Sequence, residues 1–371
     1  MIRRASWVNR QISRGHRVVE YSVPGEAINS LAKRLGVKAE DIVKLDANEN
    51  FMLPREFMAS EMCQLSKNLD TRLYPTDQKT RLTTAVADYL NIQSDQVVIG
   101  NSSDDILEIS SRAFLKERDV TVVSITPTFV MYQVITSELG HRLIEVPLRD
   151  DFTLDVDKIM DACERSTHIL FLCSPNNPTG NQFHADQVRE LAEKFEGLLI
   201  VDEAYVDYAP HSVIGLTEEH ENVIVLRTFS KAFGLAGLRI GYAVTNPRIA
   251  ATLKAIQPPY NVNVVSLELA LRALTRIDEV RAAVDRTKAE RDLLIGNVRG
   301  IPGLVPYPSD ANFVLLKTPR PARQIRDDLA EKGILVRCYD SSSLSNHMRV
   351  TVGTRQMNGR FIRALEEVMD A

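Results

Sequence analysis

Short apolar runs bounded by polar or turn-forming residues recur along the first two thirds of the chain: Val97-Val98-Ile99-Gly100, Val122-Val123-Ser124-Ile125, Ile169-Leu170-Phe171-Leu172, Leu198-Leu199-Ile200-Val201 and Val223-Ile224-Val225-Leu226. Runs of this length read as strands buried on both faces, as in a parallel sheet. After the first run, Ile106-Leu107, Ile109 and Ala113-Phe114 fall at helical spacing. Strands alternating with helices over residues 45–260 predict a parallel-rich α/β layer. The pattern changes at Gln257-Pro258-Pro259-Tyr260-Asn261, where two prolines stop regular structure. Val265–Arg276 and Glu279–Val298 then read as amphipathic helices, the second linking two domains. Ile301-Pro302-Gly303 turns the chain, and Asn312–Leu316, Ile334–Arg337 and Met348–Val352 read as strands among helices at 321–332 and 356–370. The expected organisation is an N-terminal arm (1–44) returning to the small domain, a large domain (45–260) and a small α+β domain (261–371).

Composition narrows the function classes. The 371 residues suffice for two domains and a large core. The net charge of -4, with acids and bases interspersed and no basic stripe, disfavours nucleic acid. The longest apolar runs are strand-length, so no membrane span is expected. The basic start Met1-Ile2-Arg3-Arg4 is not followed by an apolar stretch, so a cytoplasmic protein is expected. Cys63, Cys163, Cys173 and Cys338 are scattered, and the seven histidines form no metal-binding spacing. Neither a disulfide framework nor a metal is expected. The single tryptophan, Trp7, falls in the arm, where it would pack across a dimer interface or lie in a disordered segment.

The segments just past the strands carry the chemistry. Thr228-Phe229-Ser230-Lys231 places a lysine between small residues just past one strand. A lysine amine that condenses with an aldehyde can carry pyridoxal phosphate. Ser230 and Arg239, in Gly237-Leu238-Arg239, could hold its phosphate. The strand ending in Asp202-Glu203-Ala204-Tyr205 puts an acid where open α/β sheets bind ligands. Asp202 is either a helix cap or the carboxylate that keeps a pyridine nitrogen protonated; Tyr205 could bond the ring oxygen. Ser174-Pro175-Asn176-Asn177-Pro178-Thr179-Gly180 is a turn by composition, and it also succeeds a strand, so that Asn177 could present its amide to the same oxygen. Asn101-Ser102-Ser103-Asp104-Asp105 opens a helix, whose backbone N–H groups at Ser103 and Asp104 form either an ordinary cap or a phosphate site. Phe129, in Pro127-Thr128-Phe129, is either core or a ring that stacks on the cofactor.

Taken in order, Gly100–Asp105, Pro127–Phe129, Ser174–Gly180, Val201–Tyr205, Ser230-Lys231 and Gly237–Arg239 resemble the fold-type I pyridoxal-phosphate aminotransferases. Leu45-Asp46-Ala47-Asn48-Glu49-Asn50, Arg72-Leu73-Tyr74-Pro75, Gly333–Arg337 and Met348–Thr354 are similar to the histidinol-phosphate aminotransferase branch. The resemblance runs from about residue 20 to the end of the chain. It implies a large domain with a mostly parallel seven-stranded sheet between helices, a small α+β C-terminal domain, and pyridoxal 5'-phosphate as cofactor. It implies that Lys231 is the covalent attachment point and proton shuttle, that Asp202 pairs the pyridinium, and that Tyr205 and Asn177 bond the ring oxygen. Ser103, Asp104, Ser230 and Arg239 would hold the phosphate and Phe129 would cover the ring. Tyr74 would reach the phosphate from the other subunit of a homodimer. Arg349 would bind the substrate α-carboxylate, Arg337 the distal phosphate or carboxylate, and Tyr21 the substrate. Tyr21 stands one residue further from Val23-Pro24-Gly25 than the family pattern places it.

The implied reaction is transamination between L-histidinol phosphate and 2-oxoglutarate, within histidine biosynthesis. An aromatic amino acid aminotransferase or a threonine-phosphate decarboxylase on the same scaffold is the alternative. A non-catalytic pyridoxal-phosphate-sensing regulator would need a DNA-binding module, and the 44 residues before the large domain show no helix-turn-helix.

Overall fold

The computed structural model describes residues 27–370, apart from 118 and 340. Trp7 and Tyr21 lie outside the described residues. The strands are β1 (Val43–Lys44), β2 (Val97–Gly100), β3 (Thr121–Thr126), β4 (Arg142–Pro147), β5 (Thr167–Cys173), β6 (Leu198–Asp202), β7 (Val223–Thr228), β8 (Gly241–Thr245), β9 (Val305–Pro306), β10 (Phe313–Lys317), β11 (Ile334–Leu335), β12 (Arg337–Cys338) and β13 (His347–Thr351).

Seven of them form one sheet in the order β2-β8-β7-β6-β5-β3-β4. The fold is α/β, and the mostly parallel seven-stranded sheet is as expected. Every residue of β6, β7 and β8 is buried, because helices cover both faces. One core lies on each side: Val98, Ile106, Phe171, Ile200 and Leu226 belong to one cluster, and Val123, Leu170, Leu199 and Val225 to another. The alternation of neighbouring residues between two cores explains why these strands are apolar throughout.

Only β8 runs against its neighbours. Because β2 and β7 are both antiparallel to β8, they are parallel to each other, and β3, β5, β6 and β7 are mutually parallel. The carboxyl ends of β2, β3, β5, β6 and β7 therefore share one edge. The start of β8 meets them there, with Gly241 opposite both Gly100 and Thr228. The six motifs from Gly100–Asp105 to Gly237–Arg239 all fall on this edge, where open α/β sheets take ligands.

Helix Val264–Thr275 packs on helix Gln78–Leu90 and shares a core with Leu82, Val86 and Ile99. The long helix Ile277–Arg299 starts in that core, through Val280 and Ala283, and ends in a second one through Leu294, Ile295 and Val298. The second core belongs to an antiparallel sheet of order β12-β13-β10-β9, backed by helices Ala322–Glu331 and Arg355–Asp370. Val43 and Leu45 join this core, β1 pairs with β11, and helix Ile28–Leu35 packs Leu31 against Ile42 and Leu335.

The single strand read at Ile334–Arg337 is corrected to two. Ile334-Leu335 pair with Val43-Lys44, whereas Arg337-Cys338 pair with Arg349-Met348 in the antiparallel sheet. The chain changes sheets at Val336, a change that the uninterrupted apolar pattern does not reveal.

Candidate functional site

Lys231 lies just past β7 and is partly buried, with its Nζ 3.2 Å from the carbonyl oxygen of Ala47 and 5.6 Å from the centre of the Tyr205 ring. Burial, and then the positive charge of Arg349, lower its pKa to about 8. An amine in this state is a usable base near neutral pH.

Asp202 ends β6 and is buried. Its Oδ1 accepts a hydrogen bond from the Ala204 amide at 3.1 Å, and its Oδ2 accepts one from the Tyr132 hydroxyl at 3.1 Å. Burial nevertheless raises its pKa to about 6, opposed by the Ala204 hydrogen bond. The carboxylate lacks the full ionic pairing that would hold it low, so a cation placed against it would be strongly favoured.

Tyr205, three residues on, stands edge-on to Phe313 at 5.1 Å. Its hydroxyl oxygen accepts from Asn48 Nδ2 at 3.0 Å, which leaves its own proton to donate elsewhere. Burial holds that proton above its ordinary range. Asn177 is buried, and its Oδ1 accepts from Arg349 at 2.6 Å, so the amide turns its Nδ2 the other way.

Arg349 is buried on β13. It also donates to the Asp46 carbonyl oxygen at 2.7 Å and lies 5.3 Å from the Phe313 ring centre. Its Nε has no partner. Arg337 stands directly opposite Arg349 in the β12–β13 register, so the two side chains leave the same face of the sheet. The Arg337 guanidinium lies 5.9 Å from the Tyr339 ring. A guanidinium group can bind a carboxylate or a phosphate through paired hydrogen bonds.

A second cluster surrounds the start of helix Ser103–Phe114. Asp105 caps the preceding turn by accepting from the Asn101 amide at 2.8 Å, and Asp104 pairs with Arg239 at 2.9 Å. Gly241 lets β8 approach: a Cβ there would sit 2.7 Å from the Ser103 nitrogen and 2.9 Å from the Arg227 oxygen. Arg239, with φ of 49°, turns the chain just before β8. Ser230 is buried, its amide held by Thr228 Oγ1 at 3.0 Å. The first N–H groups of this helix, the two serines and Arg239 are the groups that could hold a phosphate.

Phe129 meets Tyr132 edge-on at 5.8 Å. Tyr74 and Tyr260 are exposed and stack on each other at 4.5 Å. Two residues of this region were not singled out from sequence. Asn48 ties the centre together: its backbone N–H donates to Thr351 Oγ1 at 2.9 Å, its backbone carbonyl oxygen accepts from Asn312 Nδ2 at 2.9 Å, and its side-chain Nδ2 donates to the Tyr205 hydroxyl. The other is Tyr132. Among the described residues there is no group of three or more His, Cys, Asp or Glu side chains placed to hold a metal.

The sequence profile of the family Aminotransferase class I and II matches residues 40–365. The chain belongs to that family. It is 37% identical over 357 residues to a histidinol-phosphate aminotransferase of Roseiflexus castenholzii, covering 94% of this chain and 96% of that protein. A histidinol-phosphate aminotransferase of Thermoanaerobacter pseudethanolicus is also 37% identical, over 88% of this chain and 93% of its own. Among solved structures, the fold superposes with a TM-score of 0.85 on the histidinol-phosphate aminotransferase of Sinorhizobium meliloti in complex with pyridoxal-5'-phosphate, at 28% identity over 94% of this chain and 96% of that one. This aminotransferase is accordingly a pyridoxal-phosphate enzyme. The site suits that cofactor: a lysine of lowered pKa, a buried acid with only neutral donors, and a helix start beside Arg239 share one sheet edge. No described helix is long and apolar enough to cross a membrane.

Proposed function

We propose that this aminotransferase moves the amino group of L-histidinol phosphate to 2-oxoglutarate, giving imidazole-acetol phosphate and L-glutamate. The observation that carries the reading is the pair Arg337 and Arg349, opposed in register, with Arg349 close enough to depress the pKa of Lys231. Both substrates have an anionic far end, a phosphate in one and a carboxylate in the other. The two relatives at 37% identity, named for this activity, point the same way.

In this reading Lys231 would be the point of covalent attachment of the cofactor, and its free amine would take the proton from the substrate Cα. Its lowered pKa suits the task. Pyridoxal phosphate, when bound, supplies the electron-accepting ring that makes that proton labile. Asp202 would lie against the ring nitrogen and keep it protonated. Tyr205 would donate to the ring oxygen because Asn48 already occupies its acceptor side, and Asn177 would donate through Nδ2 because Arg349 occupies its oxygen. Ser103, Asp104 through its backbone, Ser230 and Arg239 would bind the phosphate, and Phe129 would cover one ring face. Arg349, with one unpartnered Nε, would take the α-carboxylate of glutamate or 2-oxoglutarate. Arg337 would take the distal phosphate or carboxylate.

The active site would be completed in a homodimer by Tyr74 of a second copy. Tyr74 is 72% exposed, beside Leu73 at 66%, and its stacking partner Tyr260 is exposed as well.

The test is a visible spectrum of the purified holoenzyme titrated with L-histidinol phosphate and no keto acid. Loss of the band of the lysine-held cofactor, with growth of the amine form, is expected. An unchanged band rejects this substrate, and phenylalanine, tyrosine and phosphothreonine would be titrated next.

A further inference from the structure

Tyr132 connects two residues that reach a bound ring from different directions. Its hydroxyl donates to Asp202 Oδ2 at 3.1 Å, and its ring meets Phe129 edge-on at 5.8 Å and 89°. It has almost no freedom to do otherwise. It is 1% exposed and lies flat on Phe171 at 4.8 Å and 10°, while Thr136 bonds its carbonyl oxygen one turn along the helix. Phe171 is itself fully buried in β5, two residues before Cys173, the register partner of Asp202.

We infer that Tyr132 is a positioning residue for the cofactor ring, fixing the Asp202 carboxylate at its nitrogen and Phe129 at its face as one rigid unit. The inference rests on the proposed placement of the cofactor against Asp202. The geometry gives the hydroxyl a defined task. A carboxylate with one oxygen on the Ala204 amide could still tilt about that bond. A second donor on the other oxygen removes the tilt and favours the charged form. A phenol suits this place because it donates without bringing a charge of its own. Burial keeps the Tyr132 proton far above its ordinary range, so the donor stays protonated at any working pH.

The test compares the affinity of the apoenzyme for pyridoxal phosphate with its affinity for the 1-deaza analogue, in which C–H replaces the ring nitrogen. Asp202→Asn serves as reference. It should weaken pyridoxal phosphate selectively, and if it does not, the placement of Asp202 at the ring nitrogen fails. Given a selective Asp202→Asn, Tyr132→Phe should weaken pyridoxal phosphate about fivefold to tenfold and the analogue less than about twofold, as expected for part of one charged hydrogen bond. Equal weakening of both ligands would make Tyr132 a merely structural residue and overturn the inference, and so would no weakening of either. If Tyr132→Phe does not fold, Phe171→Leu keeps the hydroxyl but removes the ring beneath it. It should show the same selective loss at about twofold to threefold, and an unselective result would equally overturn the inference.

Discussion

Asp202 and Glu203 are consecutive acids at the end of one strand, both buried, and the protein treats them in opposite ways. Glu203 is satisfied on every side: Ser212 donates at 2.8 Å, the Val213 amide at 2.6 Å and Arg227 Nε at 3.0 Å. Burial by itself would push Arg227 down, yet Glu203 holds it above its ordinary pKa. Asp202 has two neutral donors and a pKa raised to about 6. The lysines repeat the contrast. Lys44 sits between Asp46 at 3.0 Å and Glu49 at 2.6 Å, and these outweigh burial and raise its pKa. Lys231 has a carbonyl oxygen for a partner and a pKa lowered to about 8. Glu203 and Lys44 have an opposite charge within the chain, whereas Asp202 and Lys231 hydrogen-bond to neutral groups.

The contrast should be largest at Lys231. Lys231→Ala should lower the transamination rate by about three decades or more, since the proposed covalent attachment and proton shuttle would both be lost. Pyridoxal phosphate should still bind without a covalent link, as seen by a shifted visible band that dialysis removes. Lys44→Ala should leave the rate within a few-fold. Measured kcat values for the two variants check this, and comparable losses would remove the distinction between them.

Arg227→Ala tests the completed side. It strands Glu203 in the core, and removing one partner of a buried pair costs about 3–5 kcal/mol. Denaturant unfolding of the apoenzyme should show a loss of that size. A loss below about 1 kcal/mol would mean that Glu203 finds enough support from Ser212 and Val213 alone.

Asp202 should behave in the reverse sense. Its folded pKa of about 6 lies above the ordinary value of 3.8, so the folded apoenzyme binds this proton more tightly than the unfolded chain does. Stability from that proton is full below about pH 4 and is lost as the pH rises through about 6. The rise of about two pH units corresponds to at most about 3 kcal/mol. At about pH 7 the apo form of Asp202→Asn should therefore be more stable than the native apoenzyme, and the advantage should vanish by about pH 4. Urea midpoints at the two pH values decide it. A variant less stable near neutral pH would mean that Asp202 is held by its fold contacts, as Glu203 is.

The incomplete groups were also the legible ones. Lys231, Asp202, Asn177 and the helix start at Ser103 all come directly after strongly apolar strands, so that sequence order alone places them on one edge. Groups whose role depends on tertiary contact were not legible. Asn48 lies in a family-like stretch, yet nothing in Leu45–Asn50 says that it will meet Tyr205 and Thr351, which are 157 and 303 residues away. Tyr132 is one aromatic among several, and the hydroxyl matters only because β6 brings Asp202 to it. Strand β4 escaped detection because Val146 is its only buried residue at an edge of the sheet, and β8 because Gly241 and Thr245 leave only the short apolar run Tyr242-Ala243-Val244. The strand read at Ile334–Arg337 failed for a related reason: apolar pattern shows burial, but not which of two sheets provides it.

The smallest effect separates the two arginines. Arg349 is committed within the chain to Asn177 and the Asp46 carbonyl oxygen, so its truncation would disturb several site residues together. Arg337 lies across the strand pair from it, against Tyr339, and its proposed task concerns the far end of the substrate alone. Arg337→Ala should therefore lower kcat/KM for L-histidinol phosphate and for glutamate by one to two decades, about 1.5–3 kcal/mol for one charged contact. The loss for an uncharged amino acid such as leucine should stay within about threefold. Arg337→Lys should recover only part of the difference, because an ammonium keeps the charge but not the paired geometry of the guanidinium. An equal loss for charged and uncharged substrates would put Arg337 among the groups that complete the fold, on the same side of the comparison as Arg227.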